Sequence, residues 1–480
     1  MIPISNAFRA ELDRQIRNRG RCQIMIFWNI GGSYTIDEFY LQSVSYHLTG
    51  DPLSRSLPTE ECTIVLTDYE KLWHPDNEDG LYEKAASGFA FSVRIGIETN
   101  GGSVEYTDYT FYTSKELPTW NKNTVTLHGN RELTTLTSTF KNFGVRDNNL
   151  GDLAYDVFQS HYIELGATSP AQGYNFASFL DNIAVIDHAL LNDYSAKDAL
   201  LAVAFAGRAS VRTTHDAYVK IEDYWDRNPL KNPVVIQRDD MFSEPTVELL
   251  PHLGKEIITY YRDPASEETD TILDVEITGD IDSDDSVRFT FSRNIVPSTF
   301  DMTQMVNVKL TTFAYDVFKD NIRITTLERI NTSSPAYLVA EATIADPQEA
   351  TYTVDVGNFQ SGQIESEEVR NPLLYHGSPY YVENWLAEYR ASYINGAPGL
   401  YRIEYRGDPS IEPLDTIRVE LPVVGIVPCI VVESTFEYAG GFHGILFVRR
   451  ILEPTASQTT QIAVSNSAVS DEAVSDTSTA

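Results

Sequence analysis

The chain has 480 residues, with 69 acidic against 36 basic side chains and a formal net charge of −33. Its length is too great for one ordinary core and points to two to four domains of about 100 to 200 residues each. A hydrophobic content of 42% and an aromatic content of 11% exclude wholesale disorder, and the acidic excess excludes the broad basic face that duplex nucleic acid requires.

Met1 to Gly20 carries four arginines and lacks the apolar core of a signal peptide, so secretory export is not expected. Within Ala7 to Arg19, Phe8, Leu12 and Ile16 fall on one helical face. Arg9, Arg14, Arg17, Arg19 and Arg21 form the one basic concentration, expected to face an acidic neighbouring subunit. Cys22 to Asn29, Tyr40 to Tyr46, Cys62 to Asp68, Phe89 to Thr99, Val104 to Thr113 and Asn123 to His128 read as strands at the spacing of a sandwich or barrel, making residues 1–150 a first β domain.

Residues 151–255 read as a helical α+β domain. Helices are expected over Leu153 to Ile163, Phe176 to Leu191 and Ser195 to Gly207, the last opened by Ser195 with Asp198 three residues on, a capping-box arrangement. A hairpin over Ser210 to Asp223 follows, turning at Thr214-His215-Asp216-Ala217. Strand-like sequence from Ile257 to Phe359 makes residues 256–360 a further β domain.

In residues 361–454, Asn371-Pro372-Leu373 leads to a segment capped by Ser378 and Pro379, where Val382, Trp385, Leu386, Tyr389 and Tyr393 recur at helical spacing. Leu400 to Tyr405 and Ile417 to Leu421 alternate as half-buried strands around Arg406-Gly407-Asp408-Pro409. Ile426 to Val432 and Ile445 to Leu452 are β-branched runs joined through Gly440 and Gly441, which suit a tight hairpin. The longest nearly apolar run, Leu421 to Val432, is interrupted by Pro422, Gly425 and Pro428. It is far shorter than the roughly 20 residues of a membrane helix and reads as a buried strand. Residues 455–480 are low-complexity sequence rich in Ser, Thr, Ala and Val without an aromatic residue and read as a disordered tail.

The order Asn371-Pro372-Leu373, helix with Trp385 and Tyr389, Arg406-Gly407-Asp408-Pro409 turn, Gly440-Gly441 turn and last strand resembles the C-terminal part of bacteriophage tail-tip and baseplate hub proteins. A looser match in the first third is the phrase Leu57-Pro58-Thr59-Glu60-Glu61 before the strand ending in Asp68, where Asn is commoner in such proteins. A helix like Ala199 to Ala206 is followed in those proteins by a hairpin turn of the form Asp-x-Asp-Gly; here the Gly is missing, which implies a differently shaped turn.

The resemblance implies an α+β, β-rich multi-domain chain with two tube-like β-barrel domains, an intervening helical α/β domain and a further β domain. It implies a virion structural protein of the tail or baseplate hub, made in the host bacterial cytoplasm. Such a protein links tube to host-facing tip, with itself (as a homotrimer) and other tail and tip proteins as partners. DNA would pass non-specifically through an acidic channel.

A search for chemistry yields no catalytic, metal or cofactor set. Asp280, Asp282 and Asp284 begin like a calcium loop, but Asp285 stands where Gly is required and Phe291 where Glu is. Cys22, Cys62 and Cys429 have no CxxC spacing, and Cys429 reads as core. His188 reads as helix surface. Carboxylate pairs such as Glu60 with Glu61 and Glu367 with Glu368 point apart on a strand. The five tryptophans, Trp28, Trp73, Trp120, Trp225 and Trp385, read as one core residue per subdomain. The alternative from another class is a receptor-binding or carbohydrate-binding tail adhesin; a cell-wall hydrolase ranks third.

Overall fold

The structure is a computed structural model. It describes the chain apart from residues 15–18, 51–56, 141–148, 165–172, 183–190, 192–193, 208, 224–233, 250–252, 263–267, 278–285, 292, 294, 308–312, 318–320, 327–335, 345–347, 356–364, 376–398 and 452–480. The described residues form two compact units, one from within 1–250 and 397–453, the other from within 251–396.

The first unit opens with α1, Asn6–Leu12, where the Ser5 hydroxyl accepts from the Phe8 amide at 3.0 Å. Phe8 and Leu12 pack on Ile97, so the helix is shorter than the Ala7 to Arg19 stretch suggested. Nine strands follow: β1 Gly20–Trp28, β2 Ser33–Ile36, β3 Leu41–Thr49, β4 Glu60–Thr67, β5 Phe89–Glu98, β6 Val104–Tyr106, β7 Thr110–Ser114, β8 Thr119–Asn121 and β9 Thr124–Asn130, with the short helix α2, Tyr82–Ala86, between β4 and β5. The expected Val104 to Thr113 strand is broken because the Thr107 hydroxyl and amide bond the Ile95 backbone.

The sheet runs β3-β4-β9-β7-β5-β1-β2. Period-2 alternation turns Cys22, Ile24, Ile26 and Trp28 of β1 inward, with Val44, Tyr46, Ile64, Phe91, Val93, Val125 and Leu127 opposite. Trp28, Trp73 and Trp120 all meet in this one core, a correction to the expectation of one Trp per subdomain; Trp225 and Trp385 lie outside the described residues.

After α3, Glu132–Thr135, come α4, Leu150–Glu164, then β10, Tyr174–Phe176, a 3-10 turn at Ser178–Asn182, and α5, Ala196–Ala206. The region expected to be helical from Phe176 begins with a strand, because Tyr174 to Phe176 pairs in parallel with Val219 to Ile221. Ser195 caps α5 and bonds Asp198. The hairpin is β11, Ala209–Thr213, with β12, Val219–Asp223; its turn carries Ala217 at φ 64°, the left-handed position a Gly would have filled. Next, β13, Val235–Ile236, and β14, Thr246–Leu249, leave this region to join the C-terminal strands.

The second unit contains β15 Leu253–Arg262, β16 Thr269–Ile277, β17 Ser286–Thr290, β18 Asp301–Val306, β19 Phe313–Val317, β20 Asn321–Thr326, β21 Ala336–Thr343, β22 Gln348–Asp355 and β23 Glu365–Tyr375. They form three sheets, β22-β15-β23, β16-β21-β18 and β17-β20-β19, the last two sharing a core with Ile272, Phe313, Ile322, Leu338 and Ala340. Because β23 belongs here, the stretch 361–454 supplies strands to both units and is not one domain in space.

The first unit is completed by β24 Gly399–Tyr405, β25 Thr416–Leu421, β26 Gly425–Tyr438 and β27 Phe442–Arg450. The order β24-β27-β26-β25 is closed by the segment 235–249: β13 pairs with β25, Met241 bridges Tyr405, and β14 pairs with β24. Inside lie Ile236, Ile403, Ile417, Val419, Cys429, Val431 and Leu446. The expected buried strand Leu421 to Val432 is instead two strands and a tight turn. Val423 sits at φ 72° with its side chain fully exposed, since Pro422 and Gly425 end the alternation.

The 14-residue β26 belongs to both barrels. Its first half pairs with β25, and its second half, Glu433 to Tyr438, pairs with β3. A bulge between Val431 and Glu433 lies where the partner changes, as expected where a strand must turn from one barrel into the next. The result is one 15-stranded sheet. Around the first barrel, β1 returns to β26 through side chains: the Tyr438 hydroxyl donates to Glu38 at 2.9 Å and lies 3.2 Å from Gly20 O.

Candidate functional site

The structure distributes the sequence signature over both units. Asn371, Pro372 and Leu373 lie on β23 of the second, where the register with β15 jumps between Thr259 and Tyr261. Asn371 is buried and its side-chain oxygen accepts from the Leu373 amide at 2.9 Å; Pro372, lacking an N–H, suits this break in the ladder. Trp385 and Tyr389 lie outside the described residues, as do His188, the Asp280 to Asp285 cluster and the 455–480 tail. Gly440 and Gly441 form the β26–β27 turn, with Gly440 at φ 79°.

Arg406 to Pro409 opens the connection from β24 to β25, two strands that are not ladder partners. Gly407, at φ 69°, lies against β27: a Cβ there would sit 2.9 Å from His443 backbone atoms, so side chains are excluded by both conformation and space. Asp408 is buried and accepts from Ser410 N at 2.9 Å and Ser410 Oγ at 2.7 Å. Its other oxygen pairs with Arg9 of α1. Arg406 donates to Arg14 O at 2.7 Å and lies 3.7 Å from Asp240. The turn thereby fastens α1 and the barrel-closing segment to the second barrel. Of the basic cluster, Arg9, Arg14 and Arg21 take partners within the chain, namely Asp408, Glu11, and Glu38 with Glu98.

The same connection leads to a buried ionic junction that sequence reasoning missed. Arg131, just after β9, donates to Glu412 at 2.8 Å with both side chains almost wholly buried, and to Thr213 O at 3.1 Å. Arg212 of β11 reaches Glu412 at 3.2 Å and Glu222 at 2.9 Å. Glu60 of β4 accepts from Thr213 N at 2.6 Å and Thr213 Oγ1 at 2.7 Å. First barrel, helical region and second barrel thus meet on one set of charges. Burial opposes ionisation of Glu412, yet the charges of Arg131, the Met1 ammonium and Arg212 hold it well below the usual carboxylate range. Glu60 is pushed up by burial, against the pull of Arg131 and Thr213. A signal was present in the sequence: the alternation of β4 places Glu60 on the inward face with Cys62, Ile64 and Leu66, and Glu61 outward.

Among the described residues no group of three His, Cys, Asp or Glu is placed to hold a metal. All three cysteines are buried, and burial pushes the Cys429 thiol up to about 12, far from the thiolate a nucleophile needs. No helix among the described residues is long and apolar enough to cross a membrane.

These features define a β-rich chain that carries two small barrels in one sheet, tied by a buried polar joint. Solved structures similar to it include the tail protein from Neisseria meningitidis MC58, 9% identical with a TM-score of 0.47 over 89% of this chain and 96% of that one. Another is the 43 kDa tail protein of prophage MuSo2 from Shewanella oneidensis, 10% identical with a TM-score of 0.44 over 90% and 98%. A third is an E. coli component of the type VI secretion system, described as structurally similar to the T4 bacteriophage tail proteins gp27 and gp5; it is 9% identical with a TM-score of 0.36 over 86% and 74%. No protein-family model and no curated protein matches the sequence.

Proposed function

We propose that this chain is a structural, non-enzymatic hub protein of a phage-type tail, acting through self-association and partner interfaces around a channel. The observation that carries this reading is the pair of barrels within one continuous sheet, joined through β26 and braced by the Arg131–Glu412 junction. Such a chain presents two similar modules at fixed separation, so three copies would set six around one axis, a closed arrangement that leaves few free strand edges. The net charge of −33 suits a passage for DNA that must not adhere. In this proposal Arg406 to Pro409 fasten the joint between the barrels, Gly440 with Gly441 turn β26 into β27, Asn371 to Leu373 shape a strand of the second unit, and that unit is a separate lobe for partner contact. Light scattering at micromolar concentration together with negative-stain images is the test. A mass of three chains and a ring with a central hole are expected; a monomer that also stays monomeric in assembled particles overturns the reading.

A further inference from the structure

The wall of the first barrel contains a small cleft that none of the foregoing uses. Tyr34 and Ile36 of β2, Tyr40 after it, Leu66 and Thr67 of β4, and the loop with Asp68, Glu70, Leu72 and Trp73 line it. It lies where β2 and β4 come together without a ladder between them. Its volume is about 20 Å³, and about 10–15 Å³ suffices for one water-sized group. A sugar ring does not fit in that space; an ammonium group does.

The chemistry of the lining agrees. Asp68 is occupied in holding the loop, accepting from Leu72 N at 2.8 Å, Trp73 N at 3.1 Å and Trp120 Nε1 at 3.1 Å. Glu70 takes the Tyr40 hydroxyl at 3.1 Å; Asp37, next to Ile36 but outside the lining, accepts from the Phe39 amide at 2.9 Å. No described Lys or Arg forms an ion pair with any of these three carboxylates. Their field reaches the cleft: the Tyr34 phenol is pushed up by burial and then by Glu70, Asp37 and Asp68. Phe39, 81% exposed, sets its ring edge-on to that of Tyr40, and Tyr69, between Asp68 and Glu70 in sequence, is 69% exposed.

We propose that this cleft receives a lysine side chain from a different protein, the ammonium resting near Glu70 and the methylene stem lying along Tyr40 and its ring neighbour Phe39. Aromatic faces and carboxylates together favour a cation with an apolar stem over either a neutral or an anionic group. A second copy of this chain is the poorer occupant, because each copy brings a net charge of −33 to an already acidic cleft. The site would serve the partner interfaces of the proposed hub and rests on that reading only for the partner's existence.

The first test uses the full chain labelled with fluorotyrosine and titrated with n-butylammonium chloride at constant ionic strength, with butan-1-ol as the neutral control. Saturable shifts of the Tyr34 and Tyr40 signals are expected for the ammonium alone. Glu70→Gln should weaken binding about fivefold or more, and Glu61→Gln, outward on β4, should leave it unchanged. An equal response to butanol, undiminished binding by Glu70→Gln, or no saturation, which would mean an ordered water only, overturns the proposal. The second test is carbodiimide cross-linking of assembled particles: a bond from Glu70 to a lysine of another protein supports it, and a bond to a second copy or none overturns it. Failure of the hub reading shows separately, as a monomer in particles that still binds butylammonium.

Discussion

The two barrels of the first unit solve the same problem with different materials. The first is built from residues 20–130 and the second half of β26, and its core is rich in rings: Trp28, Trp73, Phe89, Phe91 and Tyr112 stack or tilt against one another at ring separations of 5.4 to 6.2 Å. The second draws strands from two distant stretches, 235–249 and 399–450, and its core is aliphatic, with Ile403, Ile417, Val419, Val431 and Leu446. The first closes its seam between β1 and β26 by side-chain contact at Tyr438. The second closes its wall by backbone pairing, with the added segment 235–249 on β25 and β24.

The largest expected effect tests the aromatic half of that comparison. Phe91 is fully buried, and Phe91→Ala should cost about 3–5 kcal/mol, while Leu446→Ala in the second barrel should cost about 2–5 kcal/mol. Denaturant unfolding followed by tryptophan fluorescence in a Trp225→Phe, Trp385→Phe background reads the first barrel selectively, since Trp28, Trp73 and Trp120 all lie in it. If the junction makes the barrels one cooperative block, both variants shift the same transition; two transitions would show that β26 joins them only topologically.

The joint itself gives the next effect. Arg131→Met leaves Glu412 buried with one cationic partner fewer, a loss of about 3–5 kcal/mol when a buried pair is broken from one side. Its pH counterpart has a definite sign. The Glu412 carboxyl is depressed below its ordinary 4.5 by its cationic partners, so its stabilisation is fully present above that value and is lost as pH falls below it. Stability measured between about pH 5 and pH 2 should therefore fall less steeply in Glu412→Gln than in the parent. An unchanged slope would mean that Glu412 is not the group that couples the lobes to acid.

Gly407→Ala probes the turn that ties α1 to the second barrel. With φ at 69° and His443 backbone atoms 2.9 Å from the new Cβ, a cost of about 1–3 kcal/mol or more is expected, read as a lowered melting temperature. A neutral result would show that the connection from Tyr405 to Thr416 can shift as a body.

How far the sequence announced all this follows from the range over which each feature is determined. Strands with period-2 alternation, the Ser195 cap and the Gly440 turn depend on near neighbours, and they stand where the pattern places them, with ends moved by one to a few residues. Closure of the second barrel by Val235 to Leu249 depends on pairing with residues some 150 positions away, and nothing local in that segment distinguishes it from a linker. Of the site, a turn at Arg406 to Pro409 was legible, but not the left-handed conformation of Gly407, which the approach of His443 imposes. The junction was half legible, because an inward Glu60 is visible on β4 but its cover by Thr213 is not.

The smallest effect compares two turns that hold a non-glycine residue in the left-handed region, Lys122 at φ 53° between β8 and β9 and Ala217 at φ 64° between β11 and β12. An L side chain there costs about 1–2 kcal/mol, while glycine gives back about 0.5–1 kcal/mol through the freedom of its unfolded chain. Lys122 is exposed and its side chain has no packing to lose, so Lys122→Gly should stabilise by about 0.5 kcal/mol. Ala217 is buried, and removing its methyl group forfeits about 0.8 kcal/mol of apolar burial, so Ala217→Gly should come out near zero or slightly destabilising. Melting temperatures of the two variants decide it. If Ala217→Gly stabilises as much as Lys122→Gly, its methyl group contributes nothing to the packing of the β11–β12 hairpin.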